Sequence, residues 1–330
     1  MAGRRQKKSG RRSYAWRYRG RIVACVFVEV IIICALVIMI GWNKGVKEWF
    51  EQFEQPVLKE VDISGINSPN AILMQARGGK ILGEINGEAQ IYPASMTKIM
   101  TVILGIENFD NLDEKITLTD EMFAGLYEQD ATQAGFQPGE EVRVIDLLYG
   151  AMLPSGAECC IALADTISGS EADFAELMNK KARKLGMENT HFCDSTGLHN
   201  PDHYSTVKDI AVLMKYCIKN DTFREIVETS RHSTGVTNIH PDGITYYSTM
   251  FKNLSDPTVT GGKILGGKTG YTSEAGHCLV SFAEIEGREY IFVSAGASGA
   301  DGNTIPHIQD AVTIYNRVGE AIEGKLNNNE

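Results

Sequence analysis

The chain has 330 residues, 43% of them hydrophobic, enough to bury a sizeable core, which excludes a largely disordered protein. Nine basic residues, from Arg4 to Arg21, precede the first acidic one, Glu29, and leave 23 basic against 41 acidic residues beyond it. That acidic balance excludes nucleic acid as a partner of the bulk of the chain.

From Ile22 to Trp42 the sequence reads IVACVFVEVIIICALVIMIGW, a length that spans about 30 Å as a helix and matches a bilayer core. We expect one transmembrane helix at residues 22–42. A cleaved signal peptide would carry a shorter apolar part and a small-residue cleavage site, whereas Trp42-Asn43-Lys44 follows here. Positive charge before the span places the basic tail, residues 1–21, in the cytoplasm and everything after Lys44 outside. Glu29 inside the span is protonated, partnered, or reaching for the near interface. Residues 43–66 read as a polar stalk with a short amphipathic stretch from Val46 to Phe53, and residues 67–330 as the folded domain.

That domain opens with AILMQA, Gly78-Gly79 and ILGEIN, the pattern of a two-residue β-hairpin. After Pro93 comes Ser95, then MTKIMTVILGI, apolar nearly all round as in a helix buried on every side. Between about residues 110 and 255 the period is helical, at Val144 to Leu153, Ala157 to Ile167, Ala172 to Leu185 and Thr206 to Lys219. Strands return afterwards in KILGGKTGYT, HCLVSFAEI and REYIFVSAGA, with Glu286-Gly287 as the last turn and a helix from Pro306 to Ile322 at the end. The expected architecture is α/β, one sheet made from both ends of the chain with a mostly helical insertion packed on it and an active site at the junction. The five cysteines beyond the span sit in scattered apolar contexts, such as Ile218 after Cys217, and read as buried hydrophobes; an extracytoplasmic compartment still permits a bridge.

Ser95-Met96-Thr97-Lys98 puts a hydroxyl and an amine at helical i and i+3, on one face. A Ser hydroxyl needs an adjacent base to become a nucleophile, and a buried Lys serves because burial favours its neutral form. Alone, the pattern reads equally well as a Ser cap and a solvated Lys. Lys268-Thr269-Gly270 lies in an apolar strand after Gly266-Gly267: the Lys adds positive potential, the Thr hydroxyl can hold a carboxylate, and the Gly lets a ligand approach the backbone. Ser155 in LPSGAE, taken alone, reads as a helix cap forming a capping box with Glu158.

The three elements in this order form the set found in serine β-lactamases and penicillin-binding proteins. With YPASMTKIMT, GLHNPDHYSTVKDIA and GGKTGYTSEAGHCLV, the chain from about residue 70 to 318 resembles a low-molecular-weight penicillin-binding protein, the D-alanyl-D-alanine carboxypeptidase family. The resemblance implies a β-lactamase-like antiparallel sheet with a helical insertion. It implies that Ser95 forms an acyl-enzyme on peptidoglycan stem peptides ending in D-Ala-D-Ala, and that β-lactams inhibit covalently. Lys98 is then the base, Ser155 a proton relay, Lys268 and Thr269 the carboxylate binders, Gly270 the point of close approach, and the N–H groups of Ser95 and Tyr271 the oxyanion hole. No metal or cofactor is implied.

Two departures stand out. Ala157 occupies the place of the family's Asn in Ser-x-Asn, and no Arg follows the last strand between Ser298 and Asp310, where His307 is the nearest substitute. Glu176-Leu-Met-Asn179 mimics the deacylation motif of class A β-lactamases but sits mid-helix, on what reads as a solvated face. His199 and His203 are poor metal ligands because Pro201 interrupts helical spacing and no third ligand is evident. The rival to the enzyme is a silent peptidoglycan-binding homologue that lost the Asn, although a binding role gives no reason to keep Ser95 and Lys98.

Overall fold

The computed structural model describes residues 58–299 and 305–327. The expected tail, span and most of the stalk lie outside them; among the described residues no helix is long and apolar enough to cross a membrane. The described end of the stalk is a correction to the expected boundary at 67. Leu58, Val61 and Ile63 are buried, and the Val61 N–H donates to the Leu82 carbonyl at 2.8 Å. Three apolar residues at that spacing are enough to draw residues 58–66 into the domain.

Strands β1 (Asn70–Gln75) and β2 (Ile81–Ile85) pair antiparallel. Their turn is longer than the expected two residues: Gln75 N–H reaches the Lys80 carbonyl at 2.8 Å, and Gly78 and Gly79 both supply positive φ. Then come a 3-10 turn (Ala94–Thr97) and helix α1 (Lys98–Asn108), whose residues 98–105 are all buried. The insertion holds α2 (Val144–Met152), α3 (Ala157–Ser168), α4 (Glu171–Leu185), α5 (Val207–Cys217) and α6 (Asp221–Glu228). It also holds two hairpins the helical periodicity concealed, β3 (Lys115–Thr117) with β4 (Glu141–Arg143) and β5 (Arg231–Ser233) with β6 (Thr245–Tyr247). Three-residue strands are too short to show an alternation against a helical background. A short helix, α7 (Thr249–Asn253), leads to β7 (Thr258–Val259), β8 (Gly262–Thr272), β9 (Gly276–Ile285), β10 (Arg288–Ala297) and the terminal helix α8 (Pro306–Asn327).

The main sheet is antiparallel in the order β2-β1-β10-β9-β8-β7, so both ends of the chain build it. Alternation sorts its side chains onto two faces. Ile72, Met74, Val280, Phe282, Ile291 and Val293 join the core shared with the insertion. Leu73, Leu279, Ile285, Tyr290 and Phe292 face a second core closed by Ile308, Ile314, Tyr315 and Val318 of α8. Glu286 and Gly287, both at positive φ, make the tight turn between β9 and β10. β7 meets only the first two residues of β8, which leaves the rest of β8 an open edge beside the turn carrying Ser95.

Candidate active site

Ser95 sits in the 3-10 turn just before α1, and Lys98 is the first residue of that helix. One turn of helix therefore separates them, and Lys98 Nζ lies 2.9 Å from Ser95 Oγ. The amine also donates to the Thr196 carbonyl at 2.7 Å. Lys98 is 3% exposed, and burial pushes its pKa below the usual amine range against the opposing pull of Cys160, Asp194 and Glu158. Burial that favours the uncharged amine, within hydrogen-bond distance of a hydroxyl, is the arrangement that lets a lysine take its proton.

The entry to this turn is strained. Ala94 has φ of 47°, a conformation unfavourable for a residue with Cβ. Gly197 packs against it so closely that a Cβ there would meet the Ala94 carbonyl oxygen at 1.9 Å. The loop carrying Gly197 is fixed by Asp194, whose Oδ1 accepts from the Thr196 N–H, the Thr196 hydroxyl and the Gly197 N–H, each at 2.7 Å. Its Oδ2 meets His203 Nδ1 at 3.1 Å, and His203 Nε2 meets Thr97 Oγ1 at 2.9 Å. Burial opposes the Asp194 charge, but His203 and the loop donors prevail and hold its carboxyl down at about 2. This chain of contacts orients the carbonyl that holds Lys98, and the sequence reading missed it. No residue type announces a backbone acceptor.

On the other side of the cleft, β8 presents the Lys-Thr-Gly run. A Cβ on Gly270 would lie 3.0 Å from the Ser95 nitrogen, so only Gly lets strand and turn meet this closely. Thr269 Oγ1 is 2.7 Å from Thr249 Oγ1, a second hydroxyl that no sequence motif flagged. Lys268 is 1% exposed and donates to the Thr269 carbonyl at 3.0 Å. Burial drives its pKa well below the usual amine range, and the charge on Lys98 drives it further. Between turn and strand lies a cavity of about 580 Å³, with Ser95, Ser155, Thr249, Thr269, Gly270 and Tyr271 among its lining residues. Lys98 and Lys268 stand buried behind that wall.

Ser155 joins this cleft but does not cap α3. The cap is Gly156, without a side-chain bond; Ser155 has φ of 75° and its buried Oγ has no partner among the described residues. Glu158, the other half of the expected capping box, instead accepts from the N–H groups of Ala134 and Gly135 at 2.6 and 2.9 Å. Ala157 is buried at the start of α3 and donates its N–H to the Thr132 carbonyl at 2.8 Å. Glu158 and Ala157 thus hold the 129–135 segment, whose Gln129, Asp130 and Thr132 line the cleft.

The remaining candidates separate cleanly. His307 lines the cleft; burial and His277 hold its pKa down at about 3, so its ring is uncharged at neutral pH. Tyr271 is exposed and its ring lies 4.7 Å from that of His277. Glu176 is exposed on α4, and Asn179 of the same mimic exchanges two 2.8 Å bonds with the Phe192 backbone. His203 serves Thr97 and Asp194, whereas His199 packs edge-on against Tyr92. Cys159, Cys160, Cys217 and Cys278 are buried and free, and Cys193 is free and half-buried.

Residues 57–299 match the D-alanyl-D-alanine carboxypeptidase family. The chain is 35% identical over 233 residues to D-alanyl-D-alanine carboxypeptidase DacF of Bacillus subtilis, covering 69% of this chain and 57% of that protein. It is 33% identical over 261 residues to DacC of Escherichia coli, covering 72% and 58%; the match thus spans less than two thirds of these relatives. Among solved structures, the DD-transpeptidase of a Streptomyces strain superposes with a TM-score of 0.69 at 30% identity, over 79% of this chain and 100% of that one. A Mycobacterium tuberculosis D-alanyl-D-alanine carboxypeptidase shares the fold, with a TM-score of 0.69 at 21% identity.

Proposed function

The chain belongs to the D-alanyl-D-alanine carboxypeptidase family, and from that premise we propose that it removes the terminal D-alanine from peptidoglycan stem peptides through an acyl-enzyme on Ser95. The observation that carries this reading is the 2.9 Å contact between a buried Lys98 amine and the Ser95 hydroxyl. Neutral Lys98 takes the Ser95 proton as Oγ attacks the carbonyl carbon of the last peptide bond. The developing oxyanion is met by the Ser95 and Tyr271 N–H groups. Ser155, whose hydroxyl has no partner among the described residues, passes a proton to the departing amine of D-alanine. Water then cleaves the ester and regenerates Ser95. Substrate carboxylate settles on Thr269 and Lys268, its charge offsetting the burial that disfavours the ammonium form. β-Lactams enter by the same acylation and stay.

The stretch 22–42 anchors the protein in the membrane in this reading, with residues 1–21 in the cytoplasm and the domain outside, where the cell-wall substrate is. Likeness to a DD-transpeptidase supports a second fate for the acyl group, transfer to an amine in place of water. A fluorescent penicillin is expected to label the full-length protein and to fail on Ser95→Ala, while free D-alanine appears from a D-Ala-D-Ala peptide with the native protein only. Equal labelling of both would remove Ser95 from the chemistry. Labelling without D-alanine release would favour a silent binding homologue, and release only with an added amine acceptor would favour transpeptidation.

A further inference from the structure

Resting on the carboxypeptidase reading, we propose that His307 is a substrate-binding residue that donates its Nε2–H to the C-terminal carboxylate of the bound peptide, beside the hydroxyls of Thr249 and Thr269. His307 is the second residue of α8, is 3% exposed, and lines the same cleft as Ser95 and Thr269. Its ring stacks on His277 at 5.0 Å and 8°. His277 in turn sits against Tyr271, its partner across β8 and β9. The three rings form a shelf at the end of the Lys-Thr-Gly strand, which holds the imidazole in one orientation before any ligand arrives.

The tautomer follows from what surrounds the ring. Nδ1 is buried and has no hydrogen-bond partner among the described residues. An unpaired buried N–H is rarer and more costly than an unpaired lone pair, so the proton resides on Nε2 and Nδ1 stays bare. Burial and the facing His277 keep the ring uncharged, so it reads an anion by hydrogen bonding and not by net charge.

Pro306 has no N–H, and those of Ile308 and Gln309 both reach the Ile305 carbonyl, at 3.0 and 3.1 Å. No acidic residue lies in the first turn. Asp310, one turn on, is occupied by the backbone N–H groups and side chains of Asn67 and Ser68. An arriving carboxylate thus meets the positive end of a long helix, two threonine hydroxyls and one imidazole donor.

The test compares a diacetyl-lysyl-D-Ala-D-Ala peptide with its C-terminal methyl ester as substrates of the full-length protein. His307→Phe keeps a ring on His277 and removes the donor; His307→Gln restores an N–H near the position of Nε2. The Phe variant is expected to lose about tenfold or more in kcat/KM on the free acid, chiefly through KM. On the ester it should stay within about twofold of wild type, with Gln recovering part of the free-acid loss. Wild-type activity of the Phe variant on the free acid, or an equal loss on both peptides with an unchanged melting temperature, overturns the assignment. Should the Phe variant melt early, the same comparison on Gln decides: equal loss on both peptides overturns the proposal, and loss confined to the ester does so too. If the wild-type protein cleaves neither peptide, the carboxypeptidase reading falls first and this one with it.

Discussion

Ser95 and Lys98 are a turn of helix apart, and that spacing was legible because i and i+3 share a face whatever the tertiary context. What makes Lys98 a base is not legible: it depends on being enclosed by groups from residues 158, 160, 194 and 196. Asp194 carries a stability prediction with a definite sign. Its carboxyl falls from an ordinary 3.8 to about 2 on folding, so its contribution is fully present above the ordinary value and vanishes as pH falls through the folded one. Linkage puts that contribution at about 2 kcal/mol. Asp194→Asn should lower stability by about that amount at neutral pH in urea melts, and the gap should close between about pH 4 and pH 2. A gap that persists at pH 2 would mean the loss is packing. Ala157→Asn asks whether the missing amide limits rate. We expect faster D-alanine release if an amide there bonds Lys98 and the substrate backbone as the family resemblance implies; no change, or a fall, would show a pocket rebuilt around Ala.

Elements bring to the cleft what single residues cannot. Helix α3 starts under the 129–135 segment and holds it through Glu158, whose carboxyl is pushed up by burial and pulled back by the backbone donors it accepts from. Removing it leaves the Ala134 and Gly135 N–H groups, both in part-buried bonds, without that acceptor, at about 1 kcal/mol each. Glu158→Ala should therefore destabilise by about 2 kcal/mol and raise KM as the segment loosens. Glu158→Gln keeps an acceptor of the same reach and should recover most of both. If Gln is as damaging as Ala in thermal melts and kinetics, the carboxyl acts by some other route than holding this segment. The capping box read from Ser155 and Glu158 failed for a related reason: the local pattern is real, but the N–H groups of Ala134 and Gly135, more than twenty residues earlier, are the donors that Glu158 accepts from. The short hairpins of the insertion went unread because three-residue strands carry no periodicity, and their pairing partners lie 12 to 28 residues away.

At the scale of the whole molecule, the sheet separates two cores, one of them shared with the helical insertion, and the cleft takes lining residues from both sides, His307 of α8 among them. Tyr315 is fully buried in the other, where its hydroxyl accepts from the Phe292 N–H at 3.1 Å and sits 3.1 Å from Ser281 Oγ. Tyr315→Ala should lower unfolding stability by about 3–5 kcal/mol while leaving the penicillin acylation rate of the folded fraction unchanged. A slowed acylation at equal folded fraction would show that the sheet transmits the change to Ser95. The order of elements, two strands, a helical insertion, three strands and a final helix, was readable because apolar periodicity is a local property that survives in any environment. So were the Ser95–Lys98 pair and the Lys-Thr-Gly strand, each a short run whose spacing alone sets its geometry. The tertiary structure alone decided the rest: that Leu58, Val61 and Ile63 are buried, that Thr249 stands beside Thr269, that the Thr196 carbonyl holds Lys98, and that His307 lines the cleft. Each depends on segments far apart in the chain meeting in a dry interior, where hydrogen-bond supply and desolvation are settled by neighbours that no local pattern specifies.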